Sequence, residues 1–169
     1  YRPKPMVPLG RYPILWHIMK TYHHHGFKRF ILCLGFKSEI IKEYFINYSS
    51  MKSDFTVQLA ENNVNVHSVE YVEDWAVTLA DTGEDTMTGA RIAIAAKKYL
   101  GDSEHFGVTY GDGLTDANLD QEFEYHCNHE RVGTILGINP PSRFGELNIN
   151  QENTVVGLEE KPQMGKGLI

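Results

Sequence analysis

The segment FKRFILCLGFKSEIIKEYFINY, Phe27 to Tyr48, carries two periodicities back to back. Its first part is a short continuous apolar run that reads as a buried strand ending at Gly35. Ser38 then stands as a plausible N-cap, and Ile40, Ile41, Tyr44, Phe45 and Tyr48 fall on one face of the helix that follows. A strand that hands over to an amphipathic helix is the unit of an α/β domain, so the flanking segments are read against that expectation.

Upstream, ILWHIMKTYHHHG places Ile14, Leu15, Ile18, Met19 and Tyr22 at helical spacing, with Gly26 suited to the helix C-terminus. His23 to His25 finish that helix, where positive charge is favoured. Downstream, FTVQLAE, VNVHSVEYV and WAVTLAD are strand-like, and MTGARIAIAAKKYL returns to helical period, with Ile92, Ala96, Tyr99 and Leu100 on one side. HFGVTY (105–110) is expected to be a strand and LDQEFEYHCNHE a helix. VGTILGI (132–138) and NTVVGLEE are expected as later strands separated by NPPSRFGELNI. The alternation predicts an α/β fold with a mixed, mostly parallel central sheet flanked by helices, in a single domain over 1–169. The chain lacks an initiator Met, starts in the loop-like YRPKPMVPLG and stops at GKGLI as apolar residues resume. It is therefore expected to be a fragment, truncated at both ends.

Composition narrows the function. Hydrophobic residues make up 41% and charged residues 22%, as in soluble globular proteins. No stretch approaches the roughly 20 apolar residues that span a bilayer, so no membrane partner is expected. The net charge of −6 argues against a nucleic-acid partner while leaving room for a small anion held by local cations. Cys33 and Cys127 are too few for a disulfide framework, which points to a reducing, cytoplasmic setting.

Four segments carry candidate chemistry. In TYGDGLTD (109–116), Asp112 lies between Gly111 and Gly113 just beyond a strand end, where ligands of open α/β sheets bind. The glycines would permit unusual backbone angles and close approach, and the carboxylate suits Mg²⁺; a Gly-Asp-Gly turn is the plain alternative. Asp116 is expected to cap the next helix. In RPKPM, Pro3 and Pro5 stiffen the backbone around Lys4, whose ammonium would meet a phosphate or simply solvent. In LEEKP, Glu160 and Lys161 suit sugar hydroxyls and a phosphate, or form a surface ion pair. DTGEDTMTGAR leads into a helix N-terminus, which favours anions, yet it lacks the Gly-Lys-Ser/Thr of a Walker loop. His126 and His129 beside Cys127 have no second ligand cluster, which speaks against zinc.

These segments together resemble the bacterial glucose-1-phosphate cytidylyltransferases of the sugar-phosphate nucleotidyltransferase superfamily. The resemblance rests on KPM with PILWHIMK, IIKEYF, VTLADTG with MTGAR, TYGDG, RFGELNI and EEKP, and runs along essentially the whole chain. It implies a Rossmann-like nucleotidyltransferase fold, and transfer of CMP from CTP to glucose 1-phosphate to give CDP-glucose and pyrophosphate for O-antigen and related surface polysaccharides. It further implies Lys4 on phosphates, Asp112 on Mg²⁺, and Thr88, Gly89, Arg91 and Gly111 beside the nucleotide. Gly145 and Glu160 would line the sugar site, with Lys161 on the sugar phosphate, in a protein that is a homo-oligomer when full length. The chain departs from the family pattern in lacking the Gly-rich GGxGTR loop and the C-terminal part, and in Arg2 where lysine is usual. Little or no catalysis is expected of these 169 residues alone. The competing readings are a nucleotidyltransferase for UTP, dTTP or ATP, and a regulatory module that binds sugar nucleotides without turnover.

Overall fold

The computed structural model describes residues 2–67, 72–138 and 146–160. Contacts divide the chain into two compact units, Tyr1–Ala117 and Asn118–Ile169.

The first unit is organised by a parallel pair of strands, Arg29–Leu34 (β3) and Ala76–Asp81 (β6), in register from Arg29↔Ala76 to Leu34↔Asp81. Parallel strands need a long crossover. Here it comprises helix Ser38–Ile46 (α2) and an antiparallel hairpin of Phe55–Gln58 (β4) and Asn63–Val66 (β5). Strand alternation divides β3 between two faces. Phe30, Leu32 and Leu34 join a cluster with Met6, Ile41, and Leu15 and Met19 of helix Ile14–His24 (α1). Val77 and Leu79 of β6 pack against the same cluster, in line with their pairing to Phe30 and Leu32. On the other face, the Cys33 thiol donates to the Arg91 carbonyl of helix Thr88–Tyr99 (α3), 3.8 Å away. Burial raises the pKa of that thiol, with the Arg91 charge opposing. Helices therefore cover both faces of the parallel pair, the arrangement that a continuous apolar strand requires.

α1 ends at the residues its sequence predicts. Gly26 takes φ +85° just past the helix, and its N–H donates to the His23 carbonyl at 2.9 Å. Before α1, the short strands Pro8–Leu9 (β1) and Tyr12–Pro13 (β2) form a tight hairpin that turns at Gly10, φ +65°.

The second unit holds helix Leu119–Asn128 (α4) and an antiparallel hairpin of Glu146–Ile149 (β7) and Val155–Glu159 (β8). The His126 and His129 rings both hydrogen-bond the Thr134 hydroxyl, at 3.0 and 2.6 Å.

Some expectations need correction. HFGVTY (105–110) and VGTILGI (132–138) form no ladder, and Val108, Tyr110 and Ile135 are exposed. Apolar alternation supplies side chains for a strand, but a strand exists only where a neighbouring edge accepts its hydrogen bonds. Residues 146–149, read as part of a connection, are instead the strand that pairs with β8. Ser38 is the first residue of α2 rather than its cap; Lys37 precedes it in the left-handed region at φ 55°. Asp116 is not the cap of α4. Asn118 is, its Oδ1 accepting from the Asp120 and Gln121 N–H groups, each at 3.1 Å.

Candidate functional site

Lys4 opens a single 3-10 turn, Lys4–Met6, that begins with Pro3 in extended conformation. Two backbone bonds close it, Met6 N–H to the Pro3 carbonyl at 2.9 Å and Val7 N–H to the Lys4 carbonyl at 3.1 Å. Met6 is buried in the cluster that includes Leu34, the last residue of β3. The sequence thus ties one end of the turn into the core and leaves the Lys4 side chain 81% exposed. Its Nζ stands 3.5 Å from Oδ2 of Asp112.

The two segments meet through Gly111. A Cβ there would lie 2.9 Å from Cγ of Pro5, so only glycine lets the 109–113 loop lie against the proline. Gly111 and Gly113 both lie outside the left-handed region, so close approach rather than unusual angles explains Gly111. Gly113 faces open space where a side chain would stand. The bracketed aspartate of the sequence is therefore held on one side by Pro5 and opposite Lys4, with room on the other.

An ion pair this exposed adds about 0–1 kcal/mol to stability, since water and salt screen both charges. Either partner can exchange the other for a ligand at small cost. A hard cation that keeps most of its waters needs one or two carboxylates, and Asp112, beside the open space at Gly113, fits that requirement.

At the carboxyl ends of the parallel strands the chain builds a second feature. Arg91 Nη1 donates to the Leu34 carbonyl at 3.1 Å and to Thr82 Oγ1 at 2.9 Å, and Nη2 donates to the Glu84 carbonyl at 2.7 Å. Thr82, 2% exposed, donates its hydroxyl to the Leu34 carbonyl at 2.8 Å. A Cβ at Gly35 would collide with the Arg91 guanidinium, so this glycine is the space the guanidinium needs. Gly83 takes φ +90° and its N–H reaches Asp81 Oδ1. Arg91 therefore ties the 82–84 turn to the end of β3. Thr88 and Gly89 lie exposed in the first turn of α3, whose N-cap, Met87, makes no side-chain cap bond. The first backbone N–H groups of that helix are suited to an anion.

In the second unit, Glu160 is exposed directly after β8, at the end of the hairpin where Glu146 pairs with Glu159. Gly145 and Lys161 lie outside the described residues. Of the residues singled out in the sequence, Lys4, Gly111 and Asp112 are thus brought together. Arg91 is turned onto the protein, and Thr88 with Gly89 forms a separate exposed helix start.

Sequence reasoning missed Thr82, and missed that Pro5 and Gly35 fill or vacate space beside a residue far along the chain. The glycine at the strand end was the one visible signal. It also missed a buried polar network around Glu73. The Tyr48 hydroxyl donates to the Glu73 carboxylate and accepts from Trp16 Nε1 at 2.7 Å, and Lys52 Nζ lies 3.1 Å from the same carboxylate. Burial raises the Glu73 pKa, but hydrogen bonds from Tyr48, its own backbone and Lys52, with the Lys52 charge, outweigh it and hold the carboxyl below its ordinary value. Burial, and next the bond to Glu73, push the Tyr48 hydroxyl up.

Comparison with known proteins identifies the family. The family described as nucleotidyl transferase matches residues 1–167. The chain is 48% identical over 162 residues to the glucose-1-phosphate cytidylyltransferase of Salmonella typhi, covering 96% of this chain and 62% of that protein. Against the enzyme of the same name from Salmonella typhimurium the identity is 47%, with the same coverage. The mannose-1-phosphate guanylyltransferase catalytic subunit beta of Drosophila melanogaster is 24% identical, over 95% of this chain and 38% of the relative. The chain thus spans about three fifths of the length of the cytidylyltransferases it matches.

Proposed function

The chain belongs to the nucleotidyl transferase family, and from that premise we propose that the full-length protein transfers CMP from CTP to glucose 1-phosphate, releasing pyrophosphate and forming CDP-glucose. The single observation that carries the reading is the 3.5 Å meeting of Lys4 and Asp112, from segments more than a hundred residues apart, in a chain 48% identical to a protein of that activity.

In this reaction an oxygen of the sugar phosphate attacks the α-phosphorus of CTP, and the bond from that phosphorus to the pyrophosphate oxygen breaks. No enzyme nucleophile is needed, so catalysis rests on positioning and on offsetting negative charge. Asp112 would hold Mg²⁺, which supplies charge neutralisation at the phosphates when bound. Lys4, released from Asp112, would then turn its ammonium to a phosphate oxygen. Thr88 and Gly89 would offer helix N-terminal N–H groups to the nucleotide, and Gly111 would keep the 109–113 loop low beside it. Arg91 would serve the nucleotide by ordering the 82–84 turn while donors it does not use on the protein remain for the ligand. Glu160 and Gly145 would line the sugar site, and Lys161 would meet the sugar phosphate.

The family match runs across both compact units, which supports one catalytic domain over 1–169. We further assign the protein to the cytoplasm, as a homo-oligomer supplying CDP-sugars to O-antigen or lipopolysaccharide synthesis. No described helix is long and apolar enough to cross a membrane. Measuring pyrophosphate release by the full-length protein, with glucose 1-phosphate and each of CTP, UTP, dTTP and ATP, tests the reading. CTP should be preferred, and a clear preference for UTP or dTTP would overturn the cytidylyl assignment.

A further inference from the structure

The contact between Lys4 and Asp112 is set by the backbone rather than by the attraction of its charges. Met6 anchors the Lys4–Met6 turn in the core. The 109–113 loop lies against Pro5 at Gly111, where a Cβ would come within 2.9 Å of the proline ring. The two side chains therefore start from neighbouring backbones, and Lys4 Nζ stands 3.5 Å from Asp112 Oδ2.

This fixed proximity governs how ligands can enter. A divalent cation on Asp112 would stand within a few ångströms of the Lys4 ammonium, and like charges that close repel. A phosphate on Lys4 would meet the Asp112 carboxylate in the same way. With both ligands present the balance reverses. The cation then lies against phosphate oxygens, as Mg²⁺ commonly does in proteins, and Lys4 turns from the carboxylate to the phosphate. The Lys4 side chain is free to make that turn because it is 81% exposed. Beside Asp112, nothing lies within 4 Å of the place a Gly113 side chain would take, which leaves room for a hydrated cation.

We propose that the Lys4–Asp112 contact is a resting lock, which makes this site resist a divalent cation or a phosphate alone and accept the two together. The ligand it selects is a phosphate already paired with a divalent cation. The proposal rests on the reading that Asp112 holds the metal and Lys4 a phosphate, and adds the coupling between them.

Two probes are titrated separately against the ¹⁵N-labelled chain: Mn²⁺ as the chloride, and inorganic phosphate as the potassium salt without metal. Mn²⁺ is read from broadening of the Gly111 and Gly113 amide signals, and phosphate from the shift of the Lys4 amide. Lys4→Met should bind Mn²⁺ roughly two- to fivefold more tightly than the wild type, the range that so exposed an ion pair allows. Asp112→Asn should bind phosphate more tightly by a similar factor. Each variant thus gains affinity for the ligand of the residue it keeps. Lys98→Met and Glu61→Gln make the same charge changes at exposed positions, in α3 and in the turn between β4 and β5, and should leave both affinities unchanged. Broadening that disappears in Asp112→Asn, with Mn²⁺ affinity unchanged in Lys4→Met, would overturn the lock and leave the metal reading standing. No broadening of these two signals in any of the proteins would overturn both. Equal tightening by Lys98→Met or Glu61→Gln would reduce the effect to net charge and overturn the lock.

Discussion

Two ionic groupings in the first unit differ in nearly every physical respect. Around Glu73 the carboxylate is buried, and it draws partners from distant parts of the chain: Lys20 of α1, Tyr48 just past α2, and Lys52. At Lys4 and Asp112 the side chains are 81% and 36% exposed and joined by one contact of 3.5 Å. Removing a partner from the first grouping strands a desolvated charge, whereas the second loses little because water takes the partner's place. The buried grouping is fixed by several partners at once. The exposed one is positioned by the backbone and left available to ligands.

Substitutions can break that contrast. The largest effect is expected for Glu73→Ala, which leaves Lys52 and Tyr48 facing an emptied site and should cost about 3 kcal/mol in urea denaturation. Asp112→Asn should move the same midpoint by less than about 1 kcal/mol yet lower turnover of the full-length protein by roughly a hundredfold or more. Unchanged turnover would remove Asp112 from the metal role. Gly111→Ala sits between the two behaviours. Its methyl would meet Pro5, so a loss of roughly 1–2 kcal/mol is expected together with weakened turnover, because the loop must lift away. A smaller effect, about 1 kcal/mol, should follow Asn118→Ala, which removes the acceptor for two N–H groups of α4 and is readable by thermal melting.

Acid sharpens the contrast further. The Glu73 pKa is lowered by folding from an ordinary value of 4.5, so the unfolded chain binds the proton more readily. The stabilisation from Glu73 is present above that value and is lost as pH falls below it toward the folded-state pKa. Melting temperature should therefore drop more steeply below pH 4.5 in the wild type than in Glu73→Gln. Equal slopes would show that the network contributes nothing to acid stability.

Legibility in the sequence follows the same divide. Helices α1, α2, α3 and α4 and strands β3 and β6 were readable because their signals are local: apolar spacing, a glycine after α1, a continuous apolar run. Lys4 and Asp112 were readable as candidates because Pro3, Pro5, Gly111 and Gly113 flag their backbones. Glu73 was not, since nothing in YVEDW marks one acid as buried. Arg91 was legible as a charge near a helix start, but its attachment to Leu34 and Glu84 depends on a gap at Gly35 that belongs to a different element.

By itself, then, the sequence determined the α/β class, the order of most elements and the short segments that carry the candidate charges. Only the tertiary structure decided that Asp112 faces Lys4, that Gly111 serves contact with Pro5, that Glu73 gathers two lysines, and that 105–110 forms no ladder. Periodicity and capping are properties of neighbouring residues and survive in a linear reading. Burial, pairing of charges and strand hydrogen bonding need a partner from elsewhere in the chain, and that partner is chosen when the fold brings distant backbone together.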